Sequence, residues 1–204
     1  MLKNIFTQHF SKFTDNQTLI AEYWQEMEKF YQGKKRFYHT LQHIENLYLE
    51  LEKHKEKIED WDILLCSIFY HDIIYDVKKQ DNEERSADVA AARLLKIGFP
   101  KDKIEKCYRQ IVATKKHEAT GDFDTDIFTD ADLAILGSDW ETYEIYTQNI
   151  RKEYSIYPDF LYNMGRKKVL KHFLDKEKIY KTPFFFEEYE AQAKINLKQE
   201  LLRF

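Results

Sequence analysis

Cysteine is nearly absent from this chain of 204 residues: only Cys66 and Cys107 occur, both on apolar helical faces. Two such thiols read as reduced core residues, which excludes a disulfide-stapled fold and suggests a reducing compartment. Glycine (5) and proline (3) are also scarce, so no stretch has the composition of a flexible linker. No apolar run is long enough to span a membrane, and the N-terminal residues lack the long apolar stretch of a signal peptide. A basic excess is missing too: 32 Lys and Arg stand against 36 Asp and Glu, a formal charge of −4, so no global positive field gathers nucleic acid. The expectation is a cytoplasmic protein with neither nucleic acid nor membrane as a partner.

What is present is a globular balance, 33% charged and 43% hydrophobic. With no internal repeat and no linker, residues 1–204 read as one domain. Nothing alternates with period two over strand length, whereas a 3.6-residue period recurs throughout. Helices are predicted near 15–32, which would be the first, and 40–57. Asp81 and Glu84 can form a capping box ahead of an Ala-rich helix that closes at Gly98. Ile104, Cys107, Tyr108, Ile111 and Val112 mark a further face. Another helix is predicted over 127–136. Ser138 and Glu141 form a second capping box, opening a helix to about Tyr154, and two more follow at 159–174 and 184–202. The fold expected is all-α, with about eight to nine helices. Aromatics make up 16% of the chain; Phe184, Phe185, Phe186 and the tyrosines of the last three helices read as core and helix-packing residues.

The segment 61–75 is apolar on every side of the helical period, as a helix buried all round would be, yet it contains His71 and Asp72. A buried carboxylate is costly unless it is paired, hydrogen-bonded or bound to a cation. An imidazole immediately before it points to a metal ion, against the plainer reading of a buried His–Asp hydrogen bond. His39 and His43, four apart at the start of a helix, can grip the same ion; the Glu of a zincin motif is missing. Asp130 and Asp132 lie two apart on a short helix, so they diverge and one of them is expected to reach the site. Imidazoles and carboxylates from three helices make a mixed N/O set suited to Mn, Fe, Co, Ni or Zn, with positions left open for water and a phosphate oxygen.

The order His43, His71-Asp72, Asp132 resembles the HD superfamily of metal-dependent phosphohydrolases, an all-helical fold. The likeness extends to a small bacterial family of HD-type phosphohydrolases of about 200 residues. It is carried by residues 38–44 and 70–75, Asp81 to Glu83 with Ser86-Ala87, Thr114 with His117, Asp130 to Leu133 with Leu136-Gly137, Arg151 to Tyr154, and Gly165-Arg166. The resemblance implies one divalent metal ion (Mn, Fe, Co, Ni, Zn or Mg) held by His43, His71, Asp72 and Asp132. His43, followed by an aliphatic residue, fits the superfamily's first ligand better than His39, which is left to face the substrate or steer His43, or to serve as an ordinary surface or capping histidine. Binuclear members carry two further histidines before the last Asp; here His117 stands alone, which favours a single metal.

The implied activity is hydrolysis of a small phosphorylated metabolite, a nucleotide among the options, releasing phosphate or pyrophosphate. Asp72, His39, Glu83 and His117 are the candidate catalytic groups, although Glu83 also suits helix capping and His117 a solvated loop. Phosphoryl transfer needs charge neutralisation, so Arg36, Lys78, Arg151 and Arg166 are expected around the metal, the arginines ahead of the lysine. The spacing also resembles the alarmone hydrolases, but the Glu of their Glu-Asp pair is missing and Asp76 stands alone. A non-catalytic, metal-stapled binding module and an HD-fold oxygenase are the other readings. Amphipathic helices rich in aromatics are compatible with a homodimer.

Overall fold

A computed structural model describes residues 1–204 and contains ten α-helices and no strand. They are α1 (Leu2–Phe10), α2 (Gln17–Tyr31), α3 (Leu41–Glu52), α4 (Trp61–Tyr70), α5 (Asn82–Ile97), α6 (Lys101–Ala113), α7 (Phe123–Asp132), α8 (Trp140–Glu153), α9 (Asp159–Asp175) and α10 (Pro183–Leu201). No helix is long and apolar enough to cross a membrane.

Helix α4 is the axis of the fold. Every residue from Ile63 to Tyr70 is buried, and the helix packs against α3, α5, α6 and α7. Asp60 starts it by accepting a hydrogen bond from the Ile63 amide, so one of the amides left over at the helix start is satisfied. One continuous apolar cluster runs from Leu2 through α4 to Leu197. Cys66 and Cys107 lie within it, both unpaired and buried.

Several boundaries differ from those predicted. The count is ten helices, one or two more than expected, because α1 precedes the predicted first helix; Leu2, Phe6 and Phe10 bury its apolar face. The helix predicted over 40–57 stops at Glu52, followed by a 3-10 turn at Lys55–Lys57. The buried segment 61–75 is helical only to Tyr70. There Arg36 takes over the carbonyls of Asp72 and Ile73 (2.7 and 2.9 Å), and Ser86 bonds to both backbone groups of Ile74. The predicted helix 127–136 starts earlier, because Asp122 caps it through the Thr125 amide, and ends at Asp132; Ala134–Gly137 then forms a 3-10 turn.

Neither capping box forms. Asp81 makes no side-chain cap, and Glu84 is drawn to Lys115. At α8 it is Asp139, one residue past Ser138, that accepts from the amide and hydroxyl of Thr142.

Two late elements close the structure. Helix α10 packs on the Ala134–Gly137 turn, where a Cβ on Gly137 would come within 2.6 Å of both the Tyr189 side chain and its carbonyl. Helix α9 packs chiefly on α10. Only Arg166 and Leu170 of α9 are buried, and Phe160, Leu161, Met164 and Val169 are exposed.

Candidate metal centre

Three separate elements deliver the central side chains. Thr40 caps α3 and places His43 in its first turn. His71 is the C-cap of α4, so both it and Asp72 sit in the turn that follows the buried helix. Asp132 is the last residue of α7. The donor atoms of His43, His71 and Asp132 all lie within 4.8 Å of one another, a group able to hold a metal ion.

The separations fit an ion. His43 Nε2 lies 3.1 Å from His71 Nε2 and 3.2 Å from Asp132 Oδ1, and His71 Nε2 is 3.6 Å from that oxygen. A metal with bonds of about 2.1 Å holds neighbouring donors about 3.0–3.4 Å apart. His71 Nδ1 lies 3.0 Å from the Ile68 carbonyl and donates to it, which turns Nε2 toward the cluster, as a metal-binding imidazole requires. Asp72 stands beside the trio, its Oδ2 at 3.2 Å from His71 Nε2 and 3.7 Å from His43 Nε2.

Electrostatics show how strongly the cluster calls for positive charge. Burial pushes the His71 imidazole down, but the Asp72 and Asp132 carboxylates outweigh it and hold its pKa up at about 10. Burial likewise pushes the Asp72 carboxyl up, and the neighbouring His71 and His39 reverse this, keeping it below the usual carboxylate range. Asp132 is lowered in the same way, with burial outweighed by His117, His43 and His71. Without a metal, protons supply the charge these carboxylates lack.

The two aspartates of α7 do diverge. Asp130 faces away and is fully buried; it accepts from the Lys181 and Thr182 amides and the Thr182 hydroxyl, and pairs with Lys181.

His39 precedes α3 and lies in a bend outside the helix, yet its ring comes within 5.9 Å of the His43 ring. Its Nε2 is 4.0 Å from Asp72 Oδ2. Glu153, at the end of α8, orients it. Glu153 Oε1 accepts from the amides of Phe37, Tyr38 and His39 at 2.7, 2.7 and 3.0 Å. Its Oε2 accepts from His39 Nδ1 at 2.7 Å and from the Tyr75 hydroxyl at 2.9 Å. Burial would raise the Glu153 carboxyl; the His39 hydrogen bond and charge bring it down to about 2. Burial would lower His39, and Asp72 and Glu153 together raise it instead. Glu153 carries no local sequence signal beyond its place in the Arg151 to Tyr154 motif.

His117 follows α6 in a left-handed backbone conformation, φ 51°, which is uncommon for a residue with a side chain and which clusters at functional sites. It is not a free loop residue: Nε2 lies 2.8 Å from Asp132 Oδ2. Glu83, in the first turn of α5, is half-buried and lines a cavity that opens beside this cluster, and burial raises its carboxyl.

The expected basic ring is not assembled. Arg36 spends its guanidinium on the carbonyls of His39, Asp72 and Ile73, so it shapes the turn that carries Asp72. Arg151 is tied to Asp159 and to the Tyr154 and Tyr157 carbonyls. Arg166 forms a buried two-pronged pair with Glu200 at 2.7 and 2.9 Å. Lys78 is exposed and lines a different depression, beside Arg36 and Lys34. Each of the three arginines has been taken up by protein acceptors.

The tyrosines of α8 and α9 also depart from expectation. Tyr143 is core, but Tyr146, Tyr154 and Tyr162 line a cavity that opens on His39, Asp72, His117 and Asp132.

Comparison of the chain with protein-family models, with curated proteins and with solved structures finds no match.

Proposed function

We propose that this chain is a metal-dependent phosphohydrolase acting on a small phosphorylated metabolite. The observation that carries the reading is the convergence of His43, His71 and Asp132 from three elements, at metal-ligand spacing, at one end of a cavity large enough for a metabolite. The resemblance of their order to the HD superfamily gives the reaction class.

A divalent ion held there would supply a Lewis acid for a phosphoryl oxygen and lower the pKa of a bound water. The protein's own groups complete the chemistry. Asp72, beside both imidazoles, is placed to orient that water or to add a ligand. His39, held by Glu153 through Nδ1, keeps its second ring nitrogen for the cavity side. With its pKa raised, it is a proton donor toward a substrate oxygen. His117 fixes Asp132 through Nε2. The turn carrying Asp72 is locked by Arg36, so the site is organised before substrate arrives.

The test is a hydrolysis screen with Mn, Co, Ni, Zn or Mg, run on the wild type and on Asp72→Ala and Asp132→Ala, with products read by mass spectrometry. Turnover by the wild type and its loss in both variants is the expected result. Full activity in Asp132→Ala would overturn the reading. Metal bound by the wild type without turnover of any phosphorylated compound would move it to a binding module.

A further inference from the structure

The cavity beside the cluster encloses about 660 Å³, and its wall is mainly apolar and tyrosyl. Beyond the metal end it is built from Tyr146 of α8, Tyr154 just past its end, and Leu161, Tyr162, Val169 and Phe173 of α9. Leu161 and Val169 remain 46% and 43% exposed, and neighbouring Phe160 and Met164 extend the apolar surface past them. Two cations line it, and both are engaged: Arg166 by Glu200, and Lys115 by Glu84 and the Gln80 carbonyl. The carboxylates of Asp72, Asp132 and Glu83 border the same space. One phosphoryl group can be neutralised at the metal. Beyond the metal and His39, a second or third would lie against apolar wall and carboxylates, with Arg166 and Lys115 both engaged, a costly placement for a dense anion.

We infer that the substrate is a phosphomonoester of a bulky, largely apolar or aromatic alcohol, and not a polyphosphate. The inference rests on the hydrolase reading and narrows its substrate class. In the reaction, water oxygen bonds to phosphorus as the P–O bond to the alcohol breaks. One water proton ends on the departing alcohol and the other stays on inorganic phosphate, so the step needs no further reactant. The tyrosine faces and aliphatic side chains bury the organic group, whose desolvation supplies binding energy that a polyphosphate chain would forfeit.

The test compares, on the Mn-loaded protein, two esters of similar leaving-group basicity, naphthylethyl phosphate and glycerol phosphate, with the phosphoanhydride tripolyphosphate. The expected kcat/KM for naphthylethyl phosphate exceeds that for glycerol phosphate by at least tenfold, with tripolyphosphate lower still. Equal or better turnover of glycerol phosphate or tripolyphosphate overturns the inference. Leu161→Glu, at an exposed position that the fold tolerates, is expected to cut the naphthylethyl-to-glycerol ratio at least fivefold; an unchanged ratio counts against the wall as the selector. If no ester turns over, the hydrolase reading fails separately, and calorimetry then decides the preference by itself. Naphthylethylphosphonate should bind the Mn-loaded protein at least tenfold tighter than methylenediphosphonate, and the reverse order overturns the apolar assignment.

Discussion

Nδ1 of His39 lies 2.7 Å from Oε2 of Glu153, a residue 114 positions further along the chain. The same carboxylate closes the 37–39 segment by taking three successive amides, so a single side chain from α8 sets both the backbone leading into α3 and the ring that overlooks the cavity. Glu153→Ala leaves those amides and a raised imidazole without an acceptor. The expected loss is about 2–4 kcal/mol in urea unfolding. Glu153→Gln keeps an acceptor oxygen and should lose clearly less. Equal stability of Glu153→Ala and wild type would show that water replaces the carboxylate.

Metal should bind the native state and stabilise it. At a hundred times the dissociation constant the gain is about 2.7 kcal/mol, read as a rise in thermal midpoint that a chelator reverses. His43→Ala and Asp132→Ala should lose the rise. Because His71 has a pKa of about 10 before metal binds, an ion must displace its proton at neutral pH. Affinity is therefore expected to increase with pH between about 6 and 8, by up to about tenfold per unit for one released proton, measured by titration in buffers of differing ionisation heat. A pH-independent affinity would show that His71 carries no proton to release in this range.

His9 supplies a separate acid-sensitive element. It is buried on α1, with Nε2 3.2 Å from Cys66 Sγ and Nδ1 3.5 Å from Asp62. Burial prevails over the Asp62 charge and lowers its pKa from 6.5 to about 4. In that window the unfolded chain binds a proton that the folded chain does not. Stability is thus intact above about pH 6.5 and falls as the pH drops toward 4, by an amount on the order of 3 kcal/mol. The slope of stability against pH over this range should be flatter in His9→Gln. Parallel slopes would mean that other groups dominate the acid limb.

Two glycines should respond in opposite directions to alanine. At Gly137 the added Cβ meets Tyr189 backbone and side chain at 2.6 Å, and α10 must shift to admit it. A loss of about 2–3 kcal/mol is expected from this overpacking. At Gly165, inside α9, an added Cβ meets nothing within 4 Å, so the better helix former should gain about 0.5–1 kcal/mol. Thermal midpoints of the two variants, compared with wild type, check both signs.

What could be read from the sequence was local. Apolar residues at helical spacing identify α3, α6 and α10, and a segment apolar on every side identifies α4, because the 3.6-residue period needs no knowledge of partners. The same geometry separates Asp130 from Asp132: two residues apart on a helix, one went to the Lys181–Thr182 backbone and the other to the His43–His71 cluster. Helix ends were less legible. Whether a residue caps a helix depends on one hydrogen bond that competes with others: Asp139 takes the cap from Ser138, and Asp81 holds the cap position without a side-chain bond.

The tertiary structure alone decided which charges were free. Arg36, Arg151 and Arg166 carry the same side chain a phosphate site would need, yet each is claimed by acceptors the fold brings to it, at separations of up to 37 residues along the chain. It also decided that tyrosines spaced like core residues on α8 and α9 would wall a cavity, because α9 buries only Arg166 and Leu170. The sequence by itself determined the helices and nominated the histidines and aspartates, since both depend on residue type and short-range period. Their convergence, the use of each cation and the character of the cavity depend on long-range contacts, which no local pattern encodes.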